Sequence, residues 1–78
     1  MRRYFFHLYD DMVVMDEEGV ELSGPDAARD RAVAEARQIA CAQVREGHLD
    51  LTHRIDVADE DGDTLFTMHF GDTVEVKT

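Results

Sequence analysis

The pattern of apolar and polar positions predicts short strands at both ends of the chain and one helix between them. Over residues 3–9 both alternating sets are rich in apolar and aromatic side chains, which is typical of a strand covered at least partly on both faces. Residues 12–15 form a second short apolar run after a turn at Asp10 and Asp11, so a hairpin is expected. Residues 20–22 are expected to resume extended structure before the helix begins.

The helix is predicted over residues 26–46, where the chain contains neither glycine nor proline. Its apolar positions recur at helical spacing and fall within about half of the circumference. These inward positions are Ala28, Ala32, Val33, Ala36, Ile39, Ala40 and Val44. Ser23 is expected at the N-terminal cap, and Gly47 is expected to end the helix in a left-handed conformation.

Two further strands are predicted after the helix, at residues 54–58 and 64–70, with an acidic turn at 59–63 between them. The resulting fold class is α+β: a two-layer ββαββ domain in which one long helix packs on one face of a four-stranded antiparallel sheet. A single domain is expected over residues 1–78, with its core within 3–70 and an edge extension or frayed tail at 71–78. The second sheet face is expected to carry apolar and histidine side chains, namely Phe5, Tyr9, Leu65, His7 and His69.

Charge narrows the classes of partner, because 18 acidic and 8 basic residues give a net charge of −10. Such a chain repels nucleic acid and anionic membranes, so neither is an expected partner. Eleven of the acids lie in residues 10–22 and 56–63, which contain no base. These segments are either solvated loops or an acidic surface that docks a basic protein. The predicted interaction residues are Asp16, Glu17, Glu18, Asp59, Glu60 and Asp61.

The apolar content is small, with 19 Leu, Ile, Val and Phe among 78 residues. A domain of this size commonly gains stability from a disulfide, a metal or oligomerisation. The single cysteine, Cys41, excludes an internal disulfide, so a homodimer is expected. One unpaired cysteine, with no stretch typical of a signal peptide or membrane span, favours a cytoplasmic location.

The order of motifs resembles a family of small, uncharacterised, acidic bacterial proteins. The resemblance covers residues 3–70 and depends on the strand RYFFHLYD, the segment DEEGVEL, the alanine-rich helix and the turn DEDG. The family has no established activity to transfer. A looser architectural analogy is the HicB-like antitoxin fold, in which a small sheet and a helix form an oligomer that binds a basic toxin.

No catalytic constellation and no cofactor motif is recognisable, and the 59–63 turn lacks the ligand spacing of an EF-hand. The leading hypothesis is therefore a non-enzymatic interaction or regulatory module that binds a protein through its sheet face or edge and its acidic loops. The alternative is a metal-dependent enzyme or metal carrier. Its ligands would be His7 and His69, if their strands pair, with Asp10 or Asp72 nearby.

Overall fold

The computed structural model describes residues 1–78 as five strands, one long helix and one short 3-10 helix. In chain order these are β1 (Arg2–Tyr9), β2 (Val13–Val14), β3 (Val20–Leu22), α1 (Pro25–Arg45), β4 (Arg54–Ala58), β5 (Thr64–His69) and the 3-10 helix Phe70–Asp72. The predicted α+β class is confirmed, but the order is βββαββ. Neither helical segment combines the length and apolar composition that crossing a bilayer requires.

β1 is the central strand, and every pairing in the sheet is antiparallel. One side of β1 pairs with β4, which in turn pairs with β5. The other side is divided, because β3 pairs with its first half and β2 with its second half. The prediction of four strands was therefore wrong. Residues 20–22 do not merely lead into the helix but add a fifth strand beside β1.

The core lies between one face of this sheet and α1. Period-two alternation directs Tyr4, Phe6, Ile55, Val57 and Met68 toward the helix, and all five are buried. The helix contributes four alanines spaced four residues apart, Ala28, Ala32, Ala36 and Ala40, which are also buried. Because alanine side chains are short, the helix lies close to the sheet and the large strand side chains fill the space between them.

The ends of α1 differ in part from expectation. Gly47 has a φ of 91°, which confirms its predicted left-handed conformation after the helix. The N-terminal cap is Gly24 rather than Ser23, and it makes no side-chain capping bond. Proline at the first helical position supplies the start signal instead, because its fixed φ suits a helix and its missing N–H leaves no donor unsatisfied.

Near its C-terminal end α1 buries Gln43, whereas the predicted inward residue Val44 is exposed. At about 100° per residue, Gln43 falls at the centre of the arc spanned by the four buried alanines, and Val44 falls about 100° from it. Hydrophobicity favoured Val44, but angular position decided which side chain faces the core.

Residues 71–78 add no strand to the sheet. After β5 the chain turns through the 3-10 helix, in which Phe70 is fully buried. Thr73 is also buried; its hydroxyl donates to the Phe70 carbonyl, and its own carbonyl accepts a 2.8 Å hydrogen bond from Arg37 Nε. The first part of the tail is therefore anchored to the helix.

Candidate functional site

The acids that follow β2 were predicted to meet a partner, but one of them completes the sheet. Asp16 lies in the gap between β2 and β3, where β1 has no neighbouring strand. Its Oδ2 accepts a 3.1 Å hydrogen bond from the backbone N–H of Phe6. A carboxylate therefore occupies the place that a strand carbonyl would take in an uninterrupted sheet.

The second oxygen of Asp16 organises the loop that leads into β3. Oδ1 accepts hydrogen bonds from the N–H groups of Glu18 and Gly19, at 3.1 and 3.0 Å. The backbone N–H of Asp16 donates to Nδ1 of His7 at 3.0 Å. In its neutral form His7 therefore carries its ring proton on Nε2.

These donors shift the ionisation of Asp16. Partial burial raises the pKa of the carboxyl, but N–H donation from Gly19, Phe6 and Glu18, with a smaller contribution from His7, outweighs burial and lowers the pKa below 3.8. The charged form is thus the one that the folded chain stabilises. A low pKa here reflects an internal structural role of Asp16.

The hairpin turn between β4 and β5 also uses two of its acids internally. Glu60 Oε1 accepts a 3.0 Å hydrogen bond from the backbone N–H of Arg3, extending the hydrogen bonding of β1 beyond the end of β4. Asp59 Oδ1 accepts the N–H groups of Asp61 and Asp63, both at 3.0 Å, which closes the turn. One carboxylate oxygen from each of Asp59, Asp61 and Asp63 lies within 4.8 Å of the other two.

Three predicted interaction residues remain available to a partner. Glu17, Glu18 and Asp61 are exposed, and their carboxylates make no hydrogen bond or ion pair within the chain. Arg3 connects the two acidic segments. Its side chain donates to the Glu18 carbonyl at 2.8 Å, and its backbone N–H donates to Glu60 in the hairpin turn. The segments are therefore neighbours near the start of β1.

The sheet face opposite α1 has no covering layer; it is called the open face below. Cross-strand pairing arranges its side chains in rows that run across β1, β4 and β5. One row is His7, Asp56 and Thr67, and the next is Tyr9, Arg54 and His69. On the other side of the first row, Phe5 of β1 lies opposite Ala58 of β4. Leu65 lies near the start of β5, beside a shift in the register with β4, and lines a cleft there.

Polar contacts tie the open-face rows together. The Arg54 guanidinium lies 4.2 Å from the centre of the Tyr9 ring, and its Nε is 3.3 Å from Asp56 Oδ1. The same carboxylate oxygen accepts a 2.8 Å bond from the Thr67 hydroxyl. One oxygen of Asp56 therefore meets both donors, and the open face combines aromatic side chains with the Arg54–Asp56 ion pair.

The structure does not bring the two candidate metal ligands together. His7 and His69 share the open face, as predicted, but β4 separates their strands. Two strand spacings of about 5 Å and two residues along the strand, about 7 Å, put their Cα atoms about 12 Å apart. His7 Nδ1 is occupied by Asp16, and His69 lies 3.5 Å from Asp72 alone. The condition stated for that site, that their strands pair, is not met.

A buried polar network that the sequence reasoning missed lies at the end of α1. Gln43 Oε1 accepts the Asp50 N–H at 3.4 Å, so its amide NH₂ donates to Nδ1 of the buried His53 at 2.9 Å. The other ring nitrogen faces Asp50 Oδ2 at 3.3 Å and Asp11 Oδ1 at 3.6 Å. Hydrogen bonds from the Thr52 hydroxyl and N–H are the main cause that lowers the pKa of Asp50 below 3.8.

Residues 3–71 match the family model of a domain of unknown function, DUF6894. The chain belongs to the DUF6894 family. The resemblance noted in the sequence, to an uncharacterised family over residues 3–70, is thereby confirmed. No curated protein and no solved structure is significantly similar to this DUF6894 chain.

Proposed function

We propose that this DUF6894 chain is a non-enzymatic interaction or regulatory module of the cytoplasm. In this proposal it forms a homodimer and binds a protein, rather than a nucleic acid or a membrane, through its sheet and its acidic loops. The net charge of −10 supports a protein partner over a polyanion, because phosphate backbones would be repelled.

The observation that carries partner binding is the exposed apolar segment at the sheet edge, residues 12–15, called the edge segment below. Its four consecutive side chains are 73, 60, 53 and 53% exposed. Exposed apolar edge strands are unusual in a soluble monomer, because their free backbone groups invite pairing. Unpaired carboxylates at Glu17 and Glu18 lie directly beyond this segment.

The open face supports the homodimer. An antiparallel sheet of this kind buries one face under its helix and leaves the other solvated or covered by a second body. Here the uncovered face carries the rings of Phe5, His7 and Tyr9, of which Phe5 and His7 are stacked with centroids 6.4 Å apart. Aromatic surface of this kind is typical of protein interfaces.

Two measurements test the proposal. Light scattering measures the oligomeric state of the chain and of Thr67→Glu, which places a carboxylate beside Asp56 on the open face. We expect a dimer that Thr67→Glu dissociates, while Ala34→Glu, on the exposed side of α1, remains dimeric.

The second measurement is retention of proteins from native lysate on the immobilised chain, at low salt and at about 1 M salt, where the Debye length is about 3 Å. We expect specific proteins at low salt and fewer at high salt, since screening weakens contacts with Glu17 and Glu18. A strictly monomeric chain that retains no protein at either salt would overturn the proposal.

A further inference from the structure

The edge segment offers backbone groups as well as apolar side chains. The N–H groups of even-numbered residues in β1 face this side of the sheet: Phe6 donates to Asp16, and Leu8 is paired with Val14. Asp10, directly after β1, continues the pattern by donating to the Met12 carbonyl. Because backbone groups alternate in direction along a strand, Val14 faces β1 and the N–H and C=O of Val13 point away from the sheet. A further strand can hydrogen-bond there.

Acids stand on both sides of the edge segment. Residues 10–18 contain five acids and no base. The acids of the 59–63 turn have a different setting, since Asp59, Glu60 and Asp61 line a cleft together with Arg2 and Arg3. An apolar centre with negative ends is therefore a property of the β2 edge.

This charge pattern indicates which kind of strand can pair with the β2 edge. In an antiparallel two-fold pairing of two copies about Val13, whose backbone groups point outward, Asp10 of each copy would lie opposite Asp16 of the other. Like charges directly opposite each other in a sheet are destabilising, so a second copy is a poor partner for this edge. A strand with basic ends would place opposite charges in the same positions.

We propose that the outer edge of β2 receives an extended segment of another protein, apolar at its centre and carrying Lys or Arg on both sides, which joins the sheet as an additional strand. This inference rests on the proposed interaction function and names the partner chemistry. Main-chain hydrogen bonds to Val13 hold the segment, the apolar side chains of the edge segment cover its centre, and Glu17 and Glu18 pair with its basic end.

The probe is a fluorescently labelled peptide in which two lysines flank each end of an alternating valine and isoleucine core; anisotropy measures its Kd. The control peptide replaces the lysines with glutamates. We expect the basic peptide to bind at least about tenfold more tightly at low salt, with the difference reduced at about 1 M salt. Amide NMR signals of Val13 and its neighbours are expected to shift on binding.

Two sets of variants locate the site. Val13→Pro removes the outward N–H while leaving the Val14 pairing with β1 intact, and we expect it to weaken peptide binding at least about tenfold. Glu17→Gln with Glu18→Gln is expected to weaken binding roughly three- to tenfold, the range for exposed charge pairs. The matched control, Asp61→Asn with Asp63→Asn, removes the same charge from the hairpin turn and is expected to leave the Kd unchanged.

Equal affinity for the two peptides, or equal loss of affinity in the two charge variants, would overturn the inference. Loss of dimerisation in a folded Val13→Pro would also overturn it, because a second copy would then occupy the edge. Each of these results is distinguishable from failure of the proposed function, because that failure would show an unmodified chain that is monomeric and retains no protein. Thermal melting of each variant by circular dichroism confirms that it is folded.

Discussion

Replacing Asp16 with asparagine tests whether this acid is a structural part of the sheet. Asparagine keeps one carbonyl oxygen for the loop N–H groups of Glu18 and Gly19 but places its NH₂ group against the N–H of Phe6. The exchange therefore removes the bond that fills the gap beside β1 and leaves a part-buried donor facing another donor. Hydrogen bonds to a charged acceptor contribute about 1.5–3 kcal/mol each.

We expect Asp16→Asn to lower the free energy of unfolding by about 1.5–3 kcal/mol at neutral pH. A chain of this size is expected to have a total stability of about 4–12 kcal/mol, so the loss is large, and Tm should fall by about 4–8 °C per kcal/mol. Urea denaturation followed by circular dichroism measures it. Asp16→Ala should lose more, because all three N–H groups lose their acceptor.

The matched control is Glu17→Gln, the neighbouring acid, whose carboxylate makes no contact within the chain. Its unfolding free energy should stay within about 0.5 kcal/mol of the parent. Equal stability of Asp16→Asn and Glu17→Gln would refute the assigned role of Asp16.

The pH dependence follows from the lowered pKa of Asp16. Because the folded-state pKa lies below the unfolded value of 3.8, the carboxylate contributes stability that is fully present above pH 3.8 and is lost as pH falls through the folded pKa. The difference in unfolding free energy between the parent and Asp16→Asn should therefore shrink on acidification. A difference that stayed constant into strong acid would contradict this linkage.

Three further substitutions test other parts of the fold by the same denaturation assay. Gly19→Ala should destabilise the fold more than Gly62→Ala. Both positions have positive φ, but only at Gly19 would the new Cβ meet β1 atoms, the nearest at 2.8 Å. Equal losses of stability would show that this close approach to β1 does not constrain residue 19. Ala36→Leu should cost about 1–3 kcal/mol by overpacking the buried stripe, whereas Ala34→Leu on the exposed side should be nearly neutral, and similar results would contradict the close helix packing. Gln43→Leu should cost about 1–3 kcal/mol by leaving a buried histidine nitrogen unpaired, and an unchanged midpoint would disprove that network.

The helix, four of the five strands and the facing of most side chains could be predicted from the sequence. Alternation over residues 3–9 and 64–70 placed Phe6 and Met68 toward the helix, and the alanine spacing identified the face of α1 that lies on the sheet. These features follow from the periods of strand and helix, which are local properties of the chain. The helical period also puts Gln43 at the centre of the buried stripe, but hydrophobicity led to the prediction of Val44, which is exposed.

Only the tertiary structure decided which backbone groups meet which side chains. Composition marks Asp16, Glu60 and Glu17 alike as exposed acids, yet the first two accept N–H groups of β1 and the third is free. His7 and His69 were assigned correctly to one face, while the insertion of β4 between their strands separated them. Strand order and the filling of a gap in a sheet depend on contacts between distant parts of the chain. Periodicity fixes the direction of a side chain but not its neighbour across the sheet.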